Sequence, residues 1–102
     1  MTNKNMIQTI QTNLLTKQIA LDCEFVGHTM DSKREDILAR VSVVNFTGQT
    51  ILDTFVIPTK SVADYRTARS GVRPEDIGSG SGALEFAVVQ GMVICHHSFV
   101  KF

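Results

Sequence analysis

The chain has 102 residues, of which 43% are hydrophobic and 20% charged, with a formal net charge of zero. Such values describe one small globular domain and exclude a bulk electrostatic attraction to nucleic acid or membrane, so any charge effect must come from local clustering. No apolar run approaches the ~18 residues of a membrane span, and the N-terminus lacks the long apolar stretch of a secretion signal. Cys23 and Cys95 sit far apart within apolar runs, as reduced, buried thiols of a cytosolic or nuclear protein do.

Residues 1–17, MTNKNMIQTIQTNLLTK, are polar, although Ile7, Ile10 and Leu14 recur at helical spacing. They predict a polar tail or short helix outside the main fold, with the domain proper over residues 18–102. In QIALDCEFV (18–26), Ile19, Leu21, Cys23 and Phe25 alternate with Ala20, Asp22 and Glu24. That period of two predicts a strand with Cys23 and Phe25 in the core. GHTMDSKRED (27–36) predicts a polar loop with His28 facing solvent. ILARVSVVNF (37–46) and TILDTFVIP (50–58), joined by a short Gly-containing turn, predict an antiparallel hairpin that Pro58 ends.

Residues 59–82 read mostly as connection. Within them RPEDI resembles the first turn of a helix, and GSGSG (78–82) a flexible joint. ALEFAVVQ (83–90) predicts a short helix stopped by Gly91, and MVICH (92–96) a second buried strand. Strand, hairpin, helix and strand together predict a mixed α/β sheet.

Two stretches carry chemistry. On a strand, Asp22 and Glu24 share a face, roughly 6.6 Å apart along it. Carboxylates that close repel unless both are solvated or a cation neutralises them, and Mg²⁺ takes oxygen ligands of this kind. A solvated outer face has the same composition, so Asp-x-Glu alone leaves both readings open. In DYRTARSG and just beyond it, Arg66, Arg69 and Arg73 cluster near Tyr65. Arginines that contact phosphates beside a stacking aromatic look like this. So does a solvated loop whose arginines pair with Asp64, Glu75 and Asp76.

ALDCEFVG, LARVSVVNFTG and FVIPTKSVADYRTARSGVRPEDI, in that order, resemble the N-terminal half of the DEDD-type 3′–5′ exonucleases, and within them the RNA exonuclease 4 branch. The likeness is close over residues 19–77 and looser to the C-terminus. It implies a ribonuclease H-like α/β fold, incomplete at the C-terminus. It implies that Asp22 and Glu24 are catalytic and hold Mg²⁺ or Mn²⁺, and that Tyr65, Arg66 and Arg69 lie on the substrate side. The implied partner is the 3′ end of RNA, with DNA as an alternative. The implied reaction is hydrolytic release of terminal nucleotides in RNA processing, ribosomal RNA included, in the nucleus or nucleolus.

The resemblance also breaks. The family's second acidic motif follows a Gly-His-Ala or Gly-His-Ser step, where this sequence has His96-His97-Ser98. The Asp position then falls on Phe102, Lys101 stands where Asn is common, and His97 matches a supporting position. The third motif, with the general-base His and the last Asp, is absent from the sequence. With two of four carboxylates, the resemblance implies one weakly held metal at most and feeble or no activity for these residues alone. The alternative it implies is a non-catalytic remnant that binds RNA or a protein partner.

Overall fold

The computed structural model describes residues 6–30, 33–96 and 100–101. The strands are β1 (Ile19–Met30), β2 (Lys33–Asn45), β3 (Thr50–Ile57), β4 (Leu84–Glu85) and β5 (Val100–Lys101). Between them lie α1 (Thr67–Ser70), α2 (Pro74–Ile77) and α3 (Phe86–His96). The described residues form a sheet of order β4-β3-β2-β1-β5, antiparallel through its centre and parallel at both short edges. The mixed sheet, the β2–β3 hairpin, its end before Pro58 and the helical turn at RPEDI all follow the sequence reading.

The turn of that hairpin is built on Asn45, which is 4% exposed. Its Oδ1 accepts from the backbone N–H groups of Thr47 and Gln49, and its Nδ2 donates to the Leu14 carbonyl. Gly48, at φ 88°, supplies the left-handed residue that closes the turn.

Four expectations are corrected. Residues 27–30 and 33–36, expected as part of a loop, continue the β1–β2 ladder, with Gly27 opposite Asp36, His28 opposite Glu35 and Thr29 opposite Arg34. Lys33 to Asp36 are all exposed there, so no apolar alternation marks the arm; backbone pairing makes the strand, and Glu35 and Asp36 tie it to Lys60 and Arg66. His28, expected in solvent, is 8% exposed, with Nδ1 2.6 Å from the Ser61 carbonyl oxygen.

Residues 6–17 do not lie outside the fold. Ile7 exchanges both backbone hydrogen bonds with Asp53, Gln11 N–H reaches the Ile51 carbonyl, and Ile10, Leu14 and Leu15 pack on the core. A single 3₁₀ turn at Thr12–Leu14 is the only helical piece of this described segment.

The third correction is at α3, which runs through Gly91 and takes in residues 92–96, expected as a strand. Gly in a helix interior costs ~1 kcal/mol relative to Ala. Val89 and Val93, one helical turn apart, are both buried in a cluster with Ile19, Val41, Val43, Ile51, Leu52 and Val56, which outweighs that cost. The strand expected at 92–96 falls instead at β5. His97, Ser98 and Phe102 lie outside the described residues.

The last correction concerns Phe25, expected in the core but 36% exposed. Glu24 pairs with Arg40 whereas Phe25 pairs with Leu38, so Ala39 is an extra residue on β2. This bulge re-aims the strands. Above it, the face with Val41 and Val43 packs under α3. Below it, Val26, Ile37 and Phe55 point to the other face and are covered by Val72 and Ile77 of the 59–77 connection. The part of that second face which the connection leaves uncovered carries the acids.

Candidate functional site

The strand register sets polar side chains in rows across three strands. Asp22, Ser42 and Asp53 form one row; Glu24, Arg40 and Phe55 form the next. Asp22 and Glu24 therefore project from one face of β1, as their spacing implies. Asp22 is exposed and Glu24 half-buried. Among the described residues neither makes an ion pair within 4 Å, and no three His, Cys, Asp or Glu side chains gather into a metal cluster.

Beside them sits a network that the sequence reading missed. The Arg40 guanidinium grips Asp53 with a two-pronged contact, Nε to Oδ1 at 2.9 Å and Nη2 to Oδ2 at 2.8 Å. The Ser42 hydroxyl donates to the same Oδ1 at 3.0 Å, and the guanidinium carbon lies 5.4 Å from the Phe55 ring centre. Hydrogen bonding to Asp53 raises the Arg40 pKa above its ordinary value, with the Asp53 and Glu24 charges adding to this and burial opposing it. The signal was available: Arg40 and Ser42 alternate with Ala39, Val41 and Val43, and Asp53 interrupts the apolar run ILDTFVI.

The arginine cluster resolves into unlike parts. Arg66 Nη1 donates to Asp36 Oδ1 at 2.9 Å, and its backbone N–H donates to Asp64 Oδ1 at 2.9 Å. The partner of Arg66 is thus Asp36, from the β1–β2 hairpin, which the sequence reading had not considered. Arg66 takes the left-handed backbone conformation, φ 51°, which aims its side chain across Gly27. Gly27 itself is bonded to the connection through Asp64 O and the Ala63 N–H, both at 2.7 Å. Arg34, Asp36, Asp64, Arg66, Thr67, Ala68 and Arg69 line an open groove of about 620 Å³, with Arg69 exposed. Tyr65 is half-buried against the Val26 and Phe55 cluster. Glu24 and Gly27 are three residues apart, ~10 Å along β1, an odd spacing that turns the Gly27 Cβ direction, and the Arg66 guanidinium lying over it, toward the opposite sheet face from the acids.

A methyl group at Gly27 would meet Arg66 Nη2 at 2.8 Å and Nε at 3.2 Å. Gly27→Ala is therefore expected to push the guanidinium off Asp36 and lower stability by about 1–2 kcal/mol, the usual scale of local overpacking. Urea unfolding reads the loss, and the Arg66 Nε–Hε NMR signal reads the displacement.

The chain is 54% identical to RNA exonuclease 4 of Xenopus laevis and 49% identical to that of Homo sapiens, each over 76 residues and 74% of this chain. It is 45% identical to RNA exonuclease 4 of Kluyveromyces lactis over 93 residues, 86% of this chain. Over most of its length the chain is thus similar to RNA exonuclease 4 proteins. The chain spans 17% of the length of the frog and human relatives and 31% of the yeast one. No family model matches it.

Among solved structures, the PAN2 pseudoubiquitin-hydrolase-RNase module of Saccharomyces cerevisiae aligns over 96% of this chain and 17% of its own, with TM-score 0.66 and 23% identity. The apo form of the Pan2 module in complex with AAGGAA RNA aligns over 98% of this chain and 18% of its own, with TM-score 0.64 and 23% identity. That likeness is one of fold, and it makes the sheet described above a ribonuclease H-like one, as the sequence reading expected.

Proposed function

We propose that these residues supply the first half of a metal-dependent 3′–5′ exoribonuclease site, acting on RNA 3′ ends in nuclear RNA processing. One observation carries the reading: Asp22 and Glu24 share one open sheet face. The donor set fits a hard divalent ion, because both carboxylates face one way and neither is engaged in an ion pair among the described residues. Asp22 and Glu24 would hold Mg²⁺ or Mn²⁺. Such an ion supplies Lewis acidity toward a phosphate oxygen and a bound water.

The protein's own groups have separate tasks. Asp36 holds the Arg66 guanidinium and Asp64 its backbone N–H, so the side chain is set in place before a phosphate arrives. Arg69, exposed on the rim, adds charge that attracts the backbone from a distance. Tyr65 keeps part of its ring in the core and so fixes the backbone beside Arg66. Glu24, half-buried, is the more constrained of the two acids.

A second reading has its own support. The arginine groove has its lining in place, whereas the acids number two where the family uses four. On that reading this stretch binds RNA without cutting it. One experiment compares the two, using a labelled RNA with and without Mg²⁺. Arg66→Ala is expected to weaken binding of all sequences alike and to lower the salt slope by about 1. Asp22→Ala is expected to leave metal-free binding intact and to abolish any Mg²⁺-dependent shortening of the RNA. Shortening absent from both the parent and Asp22→Ala, with Arg66-dependent binding kept, selects the binding reading. Binding indifferent to Arg66 and to salt would sink both.

A further inference from the structure

Glu24 and Arg40 stand directly opposite each other on neighbouring antiparallel strands. Side chains so placed have Cβ atoms about 4.5–5.5 Å apart, and opposite charges there ordinarily pair. This pair does not: both prongs of Arg40 go diagonally to Asp53 on the third strand. We infer that Asp53 is a positioning residue that parks Arg40 away from Glu24, keeping the two β1 carboxylates open to a divalent cation. The inference rests on the proposed ion-holding role of Asp22 and Glu24.

Three features make Asp53 the stronger partner. The two-pronged, charge-assisted contact outcompetes a single cross-strand one. The Ser42 hydroxyl holds Oδ1, which turns the carboxylate plane toward the guanidinium. Asp53 cannot move away, because its N–H and carbonyl both bond to Ile7 at 2.8 Å. The Phe55 ring, in the same row as Arg40, flanks the guanidinium in its parked position.

The arrangement has two states that share one seat. While Asp53 is charged and in place, Arg40 is neutralised locally and Glu24 is left for an ion. Without that charge, the Arg40 side chain can reach its direct opposite, and a tethered guanidinium then occupies the position that an incoming cation needs. The residue that keeps the seat empty is thus two strands away from it.

The test uses Asp53→Asn, which preserves shape and removes the charge, with Arg40→Gln and the double variant alongside. In a metal-free arm, NMR correlations from Arg40 Nε–Hε are expected to report Asp53 in the parent chain and Glu24 in Asp53→Asn. In a manganese arm, paramagnetic broadening of the Asp22–Glu24 amide signals is titrated with Mn²⁺. Asp53→Asn is expected to bind about tenfold more weakly, on the scale of other outer-shell changes at metal sites. Arg40→Gln is expected to bind at least as tightly as the parent, and the double variant to recover parental affinity. Asp53→Asn with unchanged affinity, a double variant as weak as Asp53→Asn, or an Arg40 that stays away from Glu24 in Asp53→Asn would each overturn the inference. A parent chain that shows no broadening at Asp22 and Glu24 refutes the ion-holding role instead, and the metal-free arm still decides whether Asp53 parks Arg40.

Discussion

Removal of residues 1–15 is expected to lower the unfolding free energy by about 3–5 kcal/mol, on the basis of about 1–1.5 kcal/mol for each partly buried aliphatic side chain lost. Ile10, Leu14 and Leu15 are those side chains, and all three pack on the cluster that contains Ile19, Val43 and Ile51. The deletion also strips polar partners from β3. Asp53 loses both backbone bonds to Ile7, Ile51 O loses the Gln11 N–H, and Thr54 Oγ1 loses the Gln8 amide. A domain of this size has ~5–15 kcal/mol in total, so the loss is a large share of it. Urea titration followed by circular dichroism measures the change. Unaltered stability would mean that the segment is a tail after all.

Replacing Asn45 with Ala is expected to cost about 2–4 kcal/mol, since it removes the buried side chain on which an otherwise exposed turn and the Leu14 carbonyl are hydrogen-bonded. Three donors converge on Oδ1: Thr47 N at 3.0 Å, Thr47 Oγ1 at 3.0 Å and Gln49 N at 2.8 Å. Nδ2 serves the Leu14 carbonyl at 2.9 Å and Gln49 Oε1 at 3.0 Å. The side chain thus ties the β2–β3 turn to the N-terminal segment, and the two perturbations share a partner in Leu14. Their effects should fall short of additivity when combined, which a double-mutant cycle on thermal or urea unfolding reads directly. Full additivity would mean that Asn45 serves the turn alone.

The elements that were legible in the sequence are those with one buried face. The alternation around Asp22 and Glu24 marked β1 and placed both acids on one side of it, because a half-buried strand must repeat every two residues. Pro58 and the RPEDI turn were legible because proline constrains its own backbone. Residues 27–30 and 33–36 were not: Lys33 to Asp36 are exposed and the buried positions opposite them are Gly27 and His28, which leaves no apolar period to read. The α3 segment failed for the opposite reason. FAVVQGMVIC is apolar almost all round, so neither helix nor strand period stands out, and Gly91 looked like an end when burial of Val89 and Val93 carries the helix past it.

At the site, single residues were easier to find than their partners. Asp22, Glu24 and Arg66 stood out by charge in unusual places. Arg40 with Asp53, and Arg66 with Asp36, are 13 and 30 positions apart. Those pairings depend on strand register, and the bulge at Ala39 sets that register without any mark in composition.

The outer edge of β1 has a further consequence. Among the described residues β5 covers it only at Ala20 and Leu21, and Asp64 covers it at Gly27. A lightly covered strand edge of this kind is a border onto which a second copy could add a strand. Two such borders laid side by side would set acid against acid, which is unfavourable. The charges at Asp22 and Glu24 therefore guard the molecule against self-association, and anything that neutralises them weakens that guard.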